Sequence, residues 1–317
     1  MKDGLGYRGL IMIDILGKRY IFFAISLIAI IPGIVILIMS GGLALSIDFT
    51  GGSQLELQFE SGSAPEPSEV INIYNDLGIT DLQVKTTGED ILIIQSSFLA
   101  DELRAEIIDS IENTFNDKVT ILQSDNVGPA IGQEVTSRAS LAIAVAALGV
   151  IIYMTFAFRG IPNALRYGVC AIIAMVHDVL IVVSLSAIGS KFFGWQFDSL
   201  TLTAILTVIG FSVQDKIVVF DRIRENSNIF RKLPFEKLAN HSIIQTLQRS
   251  INTQLMTSEF LLLALALFGG VTLREFAIIL LVGLLSGTYS SIFIAAPILV
   301  LWENQEWKNW FHKTKTA

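Results

Sequence analysis

Six long apolar runs, separated by polar segments, dominate the pattern of this chain. The runs cover residues 20–39, 138–158, 165–188, 200–221, 249–270 and 276–302. A helix needs about 20 mainly apolar residues to cross about 30 Å of hydrocarbon, and each run reaches that length. The pattern therefore predicts a polytopic α-helical membrane protein with six transmembrane helices and both chain ends on the same side.

Basic residues indicate which side that is. Fifteen Lys and Arg residues fall in the four segments that must share one face, 1–20, 158–166, 222–249 and 303–317. The opposite short loops carry only Lys191 and Arg274. Because Lys and Arg accumulate in cytoplasmic loops, we expect both termini in the cytoplasm.

The longer cytoplasmic segments in this orientation are the N-terminus 1–19, the loop 222–248 and the tail 303–317. The loop is basic and is predicted to be helical after Pro234. Two interpretations of it stay open. It can lie at the lipid surface, or it can dock onto a cytoplasmic partner.

Residues 40–137, between the first two runs, alternate between strand and helix patterns. "SQLELQF" (53–59) alternates with a period of two, whereas residues 100–115 place their apolar positions on one helical stripe. The full order is β-α-β-β-α-β, which is the order of the ferredoxin-like split motif. The sequence therefore predicts a ferredoxin-like α+β extracytoplasmic head domain between the first and second helices.

Composition agrees with a membrane protein that has an acidic external domain. The chain is 52% hydrophobic and has a formal charge of −7. Residues 40–137, with 17 acidic and three basic residues, are strongly acidic, whereas the rest of the chain is net basic. This distribution gives no indication of nucleic-acid binding. The head shows no metal-ligand spacing, nucleophile arrangement or phosphate loop, so we expect no cofactor, no metal and no enzymatic activity, and a head used for contact.

Ionisable residues inside membrane spans are costly, so each is a functional candidate that needs a partner. They are His177 and Asp178 in the third run, Asp215 and Lys216 in the fourth, and Arg249 and Glu259 in the fifth. The chain's single cysteine, Cys170, also lies in the third run and cannot form an internal disulfide.

Asp215 is predicted to lie roughly 9 Å inside the cytoplasmic boundary, at about 1.5 Å of helix rise per residue. The fifth run needs "RSINTQ" to reach spanning length, which draws Arg249 into the membrane at the inner end of an adjacent antiparallel helix. We therefore expect the two side chains within reach of each other. They form either a static bridge or a pair that loads and releases a proton when helix movement changes their separation.

The remaining groups have interpretations of their own. His177 and Asp178 form either a polar pair satisfied by neighbouring helices or a relay on a proton path. Lys216 is expected to extend toward the cytoplasm and to modulate the ionisation of Asp215. Gly283 and Gly287, followed by serines, are typical of close helix packing rather than chemistry.

Several motifs resemble those of a known family. They are "IDFTGGSQLEL" (47–57), "VGPAIGQEV" (127–135), "HDV" (177–179), "SVQDKIVVFDRIREN" (212–226), "INTQLMT" (251–257) and "FAIILLVGLLSGTYSSIFIAAPIL" (276–299). Their order around the six predicted spans is similar to that of the SecD/SecF family of protein-export membrane proteins, in the resistance-nodulation-division superfamily. The triplet Gln214-Asp215-Lys216, where this family usually has Asn-Asp-Thr, and the short tail suggest a cyanobacterial version.

The resemblance implies a subunit that couples proton movement to late steps of protein export. It implies SecD, the SecYEG channel and a YajC-like subunit as protein partners, unfolded preprotein as the translocated chain, and the bacterial inner membrane as the location. It also implies a role in proton movement for Asp215 and Arg249.

Two alternative functions stay open on the sequence. One is half of a proton-driven small-molecule exporter of the same superfamily, although the head is small for a substrate pocket. The other is a non-transporting membrane scaffold in which Asp215 and Arg249 form a fixed bridge.

Overall fold

The computed structural model describes residues 14–159, 164–254 and 260–306. These residues form two compact units. The membrane unit comprises the described parts of 1–42, 143–189 and 200–317, and the head unit comprises 43–142 together with 190–199. The fold is mostly helical, with one small antiparallel sheet in the head unit.

Long apolar helices make up most of the membrane unit. Within the described residues, five helical stretches have the length and composition to cross a membrane: Leu16–Met39, Pro129–Ala157, Leu165–Phe193, Ser199–Ile229 and Leu273–Glu303. The individual elements are α1 (Arg19–Met39), α5 (Pro129–Ala157), α6 (Ala164–Phe193), α7 (Ser199–Ile229), α8 (Phe235–Gln254), α9 (Phe260–Phe268), α10 (Val271–Ser290), a π-helical segment (Ser291–Ala295) and α11 (Ala296–Glu303).

The predicted fifth span, 249–270, is divided between the end of α8 and α9. Residues 255–259, which include Glu259, lie outside the described residues, as do 1–13, 160–163 and 307–317. The predicted cytoplasmic N-terminus and tail therefore fall largely outside the described part of the chain.

The first helix packs closely against α6 inside the membrane unit. A Cβ added at Gly33 would overlap Ser184, so glycine is required for this approach. The Ser184 hydroxyl donates a hydrogen bond to the carbonyl oxygen of Ala29 at 2.9 Å. The acceptor carbonyl lies one turn before Gly33 and next to that of Ile28, which lacks its helical donor because Pro32 has no N–H.

The head unit contains β1 (Gly52–Phe59), α3 (Pro67–Asp76), β2 (Leu82–Thr87), β3 (Ile91–Ser96), α4 (Asp101–Phe115) and β4 (Val119–Val127). The strand order is β2-β3-β1-β4, and every neighbouring pair is antiparallel. Alternate residues of β1 are buried, which is the period of two that the sequence pattern predicts. The core joins them to α3 and α4 and includes Leu55, Leu57, Phe59, Val70, Tyr74, Ile107 and Ile111.

Two glycines connect the start of β1 to the start of α5. Gly51 and Gly52 have φ values of +74° and +134°, which L side chains rarely adopt. A Cβ at Gly132 would lie 2.6 Å from the amide nitrogen of Gly51. The short helix α2 (Ile47–Thr50) ends at this contact, and the hydroxyl of Thr136 donates to the carbonyl oxygen of Phe49 at 3.1 Å.

Residues Ser190–Ser199, which comprise the end of α6, the loop to α7 and the first residue of α7, belong to the head unit and are held there by several contacts. Lys85 Nζ donates to the carbonyl oxygen of Gly194 at 3.0 Å, and the side-chain amides of Gln95 and Gln196 bond to each other. The backbone of Phe197 exchanges hydrogen bonds with the segment before α2. The helices on either side of this loop carry the polar residues of the membrane unit.

Candidate functional site

Helix α10 lies unusually close to α7 in the membrane unit. A Cβ added at Gly283 would overlap Val208, and one added at Gly287 would lie 3.2 Å from the Cα atom of Ser212. The predicted close packing of this glycine pair is therefore confirmed. The short distance brings polar side chains of α10 within reach of α6 and α7.

Asp178 of α6 is fully buried and lies at the centre of these polar side chains. Three serine hydroxyls donate to its carboxylate: Ser212 at 2.5 Å, Ser286 at 2.7 Å and Ser290 at 2.7 Å. Each carboxylate oxygen thereby has at least one hydroxyl donor. Such hydrogen bonds stabilise the ionised form of a buried carboxylate.

Lys216 of α7 forms an ion pair with Asp178, with 2.9 Å between Nζ and Oδ2. Its side chain is 0% exposed, and Nζ also donates to the hydroxyl and the carbonyl oxygen of Ser212. The expectation that Lys216 extends toward the cytoplasm is wrong. Helical side chains point back toward the N-terminus of their helix, so Lys216 reaches Ser212 one turn earlier rather than the membrane surface.

Asp215, next to Lys216, is 7% exposed and has different partners. Its Oδ2 atom accepts hydrogen bonds from Thr288 Oγ1 of α10 at 2.9 Å and from Gln254 Nε2 of α8 at 3.2 Å. Both donors are neutral. Lys216 and Asp178 lie close enough to Asp215 to interact with it electrostatically.

The expected contact between Asp215 and Arg249 is absent from the described part of the chain. Arg249 is exposed on α8 and lines an open groove of about 620 Å³ with Gln214 and Gly210 of α7 and Gly149 and Tyr153 of α5, among others. The prediction was wrong because consecutive residues of a helix point about 100° apart. Gln214 faces the groove of Arg249, whereas Asp215 faces the interior.

His177 is next to Asp178 and is 8% exposed. Its Nδ1 atom lies 3.1 Å from Asp178 Oδ1, and its ring stacks against Tyr289 at 6.1 Å between centroids. Among the described residues its Nε2 atom has no hydrogen-bond partner. The histidine thus has one nitrogen directed at the carboxylate and a second nitrogen available to another proton donor or acceptor.

We call Asp178, Lys216, Asp215 and their hydroxyl donors the polar cluster. When both carboxylates are ionised and the lysine is protonated, its three charged side chains carry one net negative charge. An uncompensated buried charge is costly, so the cluster favours the binding of one cation, and a single proton on either carboxylate makes it neutral.

Sequence reasoning found the charged members of the cluster but missed their partners. Ser212, Ser286, Ser290, Thr288 and Gln254 all donate to a carboxylate. Ser286 and Ser290 were assigned to packing alone. Their spacing of four residues, which places two hydroxyls on one helix face, was the available signal.

Comparison with family models connects this geometry to known proteins. Residues 106–305 match "Protein export membrane protein SecD/SecF, C-terminal", and residues 36–62 match the "SecD/SecF GG Motif". The second match contains Gly51 and Gly52. The first contains the polar cluster.

Two proteins named "Protein translocase subunit SecF" are similar over nearly the whole chain. That of Anaerolinea thermophila is 67% identical over 95% of this chain and 98% of its own length. That of Thermobaculum terrenum is 44% identical over 96% of this chain and 98% of its own length.

The crystal structure of SecDF from Thermus thermophilus, a translocon-associated membrane protein, has the same fold with a TM-score of 0.79 at 34% identity. The match covers 91% of this chain and 38% of the SecDF chain, so this protein spans less than half the length of that relative. The matched family model, the two SecF relatives and this shared fold together show that the chain belongs to the SecD/SecF family of protein-export membrane proteins.

Proposed function

We propose that this chain is a SecF-type translocase subunit that couples proton movement through the membrane to late steps of protein export. One observation carries the proposal. Two buried carboxylates, Asp178 and Asp215, share a single buried ammonium group, Lys216, where three helices meet. A subunit that only filled space in the membrane would not need this costly arrangement.

The positions of the charges suggest how a proton acts. When Asp215 is ionised, Lys216 is attracted by both carboxylates. When Asp215 holds a proton, the attraction of Lys216 is directed to Asp178 alone. Because Asp215 and Lys216 lie on α7 and Asp178 lies on α6, each proton event changes the force between these helices. Moving one charge through about 100 mV supplies about 2.3 kcal/mol, which is enough to bias a two-state rearrangement.

His177 and Arg249 have roles at the edges of this site. Within the described part of the chain the Nε2 atom of His177 has no partner, so His177 can pass a proton between Asp178 and a further donor or acceptor. Arg249 lies at the groove beside Gln214 rather than on Asp215. It places a positive charge near the cytoplasmic end of the proton path, where it favours release of a proton from the cluster.

The chain supplies a direct route from the cluster to the head. Helix α6 carries Asp178, helix α7 carries Asp215, and the loop that joins these helices belongs to the head unit. The bonds from Lys85 to Gly194 and between Gln95 and Gln196 fix this loop to the sheet. Movement of α6 or α7 is thereby transmitted to the head, which we propose contacts unfolded preprotein.

The finer architecture is part of the proposal. We propose a ferredoxin-like head, supported by the element order β-α-β-β-α-β and the strand order β2-β3-β1-β4. We propose six membrane helices, with the fifth at 249–270 as the sequence pattern predicts. The basic loops then place both termini in the cytoplasm of a bacterium, with the protein in its inner membrane.

SecD is the proposed direct partner, because in the Thermus thermophilus relative named "Protein translocase subunit SecDF" the region similar to this chain is 38% of a longer chain. The surface of α7 supports this partner. Thr203, Gly210 and Gln214 are exposed at helical spacing inside an apolar span, next to Arg249. Polar and small residues exposed at this depth favour another helix over lipid. The SecYEG channel and a YajC-like subunit are further proposed partners and rest on the family resemblance.

Gradient-driven export tests the proton-coupling role. Asp215→Asn removes the ionisable group while it keeps the size of the side chain. We expect normal insertion and loss of the stimulation of preprotein export by a proton gradient in inverted membrane vesicles. Asp221→Asn is the matched control, because Asp221 lies on the same helix and pairs with Arg224 at the surface. Full stimulation with Asp215→Asn would refute the proposal.

Cross-linking tests the partner surface. A cysteine at position 214, at the proposed SecD surface of α7, should form a disulfide or short cross-link to a co-expressed SecD that carries cysteines on its membrane helices. A cysteine at position 28, on the lipid-exposed surface of α1, is the control and should not. Equal cross-linking at both positions would contradict the assignment of this surface to SecD.

The two alternative functions gain no support from the site. The scaffold interpretation required a fixed bridge between Asp215 and Arg249, and the described residues do not contain one. A small-molecule exporter requires a substrate pocket in the head. The described head packs its buried apolar residues into a core shared by its sheet and helices, and at about 100 residues it is small for such a pocket.

A further inference from the structure

The ammonium group of Lys216 occupies a position that is surrounded by oxygen atoms. Its neighbours are Asp178 Oδ2 at 2.9 Å, the carbonyl oxygen of Ser212 at 3.2 Å and the hydroxyl of Ser212. The hydroxyl of Ser290 bonds to the same carboxylate oxygen at 2.7 Å. These four residues, Asp178, Ser212, Lys216 and Ser290, are all at most 1% exposed.

These oxygen types are the ligands that hard metal cations use in proteins. Carboxylate, hydroxyl and backbone carbonyl oxygens bind such ions without nitrogen or sulfur ligands. The oxygens that contact Nζ include one carboxylate oxygen, that of Asp178, and the neutral oxygens of Ser212. A monovalent ion such as Na⁺ would replace the single positive charge of Lys216 one for one. Lys216 supplies that single charge from a side chain that cannot diffuse away.

We propose that Lys216 acts as a tethered cation that fills an alkali-metal site formed by Asp178, Ser212 and Ser290. Its presence excludes Na⁺ from the polar cluster and leaves the proton as the ion that the cluster binds. Lys216 is therefore the residue that determines ion specificity. This consequence for coupling rests on the proposed function, whereas the presence of the cation site does not.

The proposal predicts that shortening residue 216 opens the site. In Lys216→Ser the loss of the long side chain and its ammonium group leaves a cavity, and the new serine adds one hydroxyl ligand. Na⁺ can then bind to Asp178. In Lys216→Met the side chain fills the same volume without a charge or an oxygen ligand, so Na⁺ cannot bind. In the double variant Lys216→Ser with Asp178→Asn the carboxylate that balances the ion is absent, and Na⁺ is not expected to bind.

The test measures the thermal unfolding midpoint of the full chain in detergent at increasing NaCl, with choline chloride keeping the ionic strength constant and KCl as a second series. A ligand that binds only the folded state raises this midpoint progressively with its concentration. We expect a rise of several degrees between millimolar and 100 mM Na⁺ for Lys216→Ser. The wild type, Lys216→Met and the double variant should show no difference between Na⁺ and choline.

Three results would overturn the proposal. The first is a Na⁺-dependent rise in the wild type, which would show that the lysine does not block the site. The second is no rise in Lys216→Ser, and the third is failure of that variant to be recovered folded in NaCl buffer. These measurements contain no transport step, so a failure here is distinct from a failure of Asp215→Asn to abolish gradient-driven export.

Discussion

Removing either charge of the Asp178 and Lys216 pair should destabilise the membrane unit far more than removing both. The relevant variants are Asp178→Asn, Lys216→Met and the double variant, because both replacements keep the approximate size of the side chain. The pair is separated by 2.9 Å, and both side chains are at most 1% exposed. Water therefore has little access to screen a charge that loses its partner.

The magnitude follows from what each isolated group can do. At 2.9 Å two unit charges attract each other by about 6 kcal/mol at an effective dielectric constant of about 20. Most of this attraction offsets the cost of removing both charges from water. An Asp178 that has lost its partner can become neutral by taking up a proton. At pH 7, protonating an aspartate of ordinary pKa costs about 4 kcal/mol. An isolated Lys216 can lose its proton at a cost of about 5 kcal/mol.

We therefore expect each single variant to lose about 3–5 kcal/mol of unfolding free energy at pH 7, and the double variant to lose about 1 kcal/mol or less. The pH dependence of the stability loss distinguishes the two single variants. Protonation of the isolated aspartate becomes easier at lower pH, so the loss in Lys216→Met should shrink by about 1.4 kcal/mol per pH unit as the pH falls. Deprotonation of the isolated lysine becomes easier at higher pH, so the loss in Asp178→Asn should shrink as the pH rises.

Unfolding in mixed micelles of detergent and sodium dodecyl sulfate, followed by far-UV circular dichroism, measures these differences as a double-mutant cycle. Strong coupling, with a double variant more stable than either single variant, supports the buried pair. A double variant whose loss equals the sum of the two single losses would refute the reasoning, because it would mean that the two charges do not compensate each other.

Three further predictions concern the packing of the membrane unit and the head. Gly283→Ala should lose about 1–3 kcal/mol of unfolding free energy, since its Cβ overlaps Val208, whereas Gly168→Ala has open space and should lose nothing in the same mixed-micelle assay. Tyr74→Phe should raise the stability of the head by about 1 kcal/mol, because the buried hydroxyl has no partner among the described residues. Hydrogen exchange of the strand amides measures this change, and unchanged or weaker protection would contradict the prediction. Burial raises the pKa of Glu56 above its ordinary value, so the folded head holds this proton more tightly than the unfolded chain and loses stability as the pH rises from below about 4.5 toward neutrality. Glu56→Gln should remove that decline in strand protection, and an identical decline in both proteins would exclude Glu56 as its cause.

The long, strongly periodic elements were accessible from the sequence because their cause is local. Apolar runs such as that of α6 specify a buried helix whatever lies beside them, and the alternation of β1 specifies a strand with one buried face. The strand and helix order of the head followed from the same local patterns. The close helix packing at Gly283 and Gly287 was also predictable from the sequence, because small residues four apart in membrane helices are typical of close helix–helix contacts.

Pairing between helices was not accessible in the same way. Depth along the membrane normal places Asp215 and Arg249 at similar levels, but depth carries no information about rotation around the helix axis. A difference of one residue turns a side chain by about 100°, and this separates Gln214 in the groove from Asp215 in the interior. For the same reason the direction of the Lys216 side chain was predicted wrongly, because it depends on the position of Asp178 on another helix.

The sequence by itself determined that this protein crosses the membrane, that a mixed domain of helices and strands follows the first crossing, and which few ionisable residues lie within the spans. These properties depend on composition and on neighbours in the chain. Only the tertiary structure decided that Asp178 pairs with Lys216, that Asp215 is held by Thr288 and Gln254, and that Arg249 lies apart from them. Those partnerships depend on how helices distant in sequence are rotated against one another, and that rotation is set by packing across the whole unit.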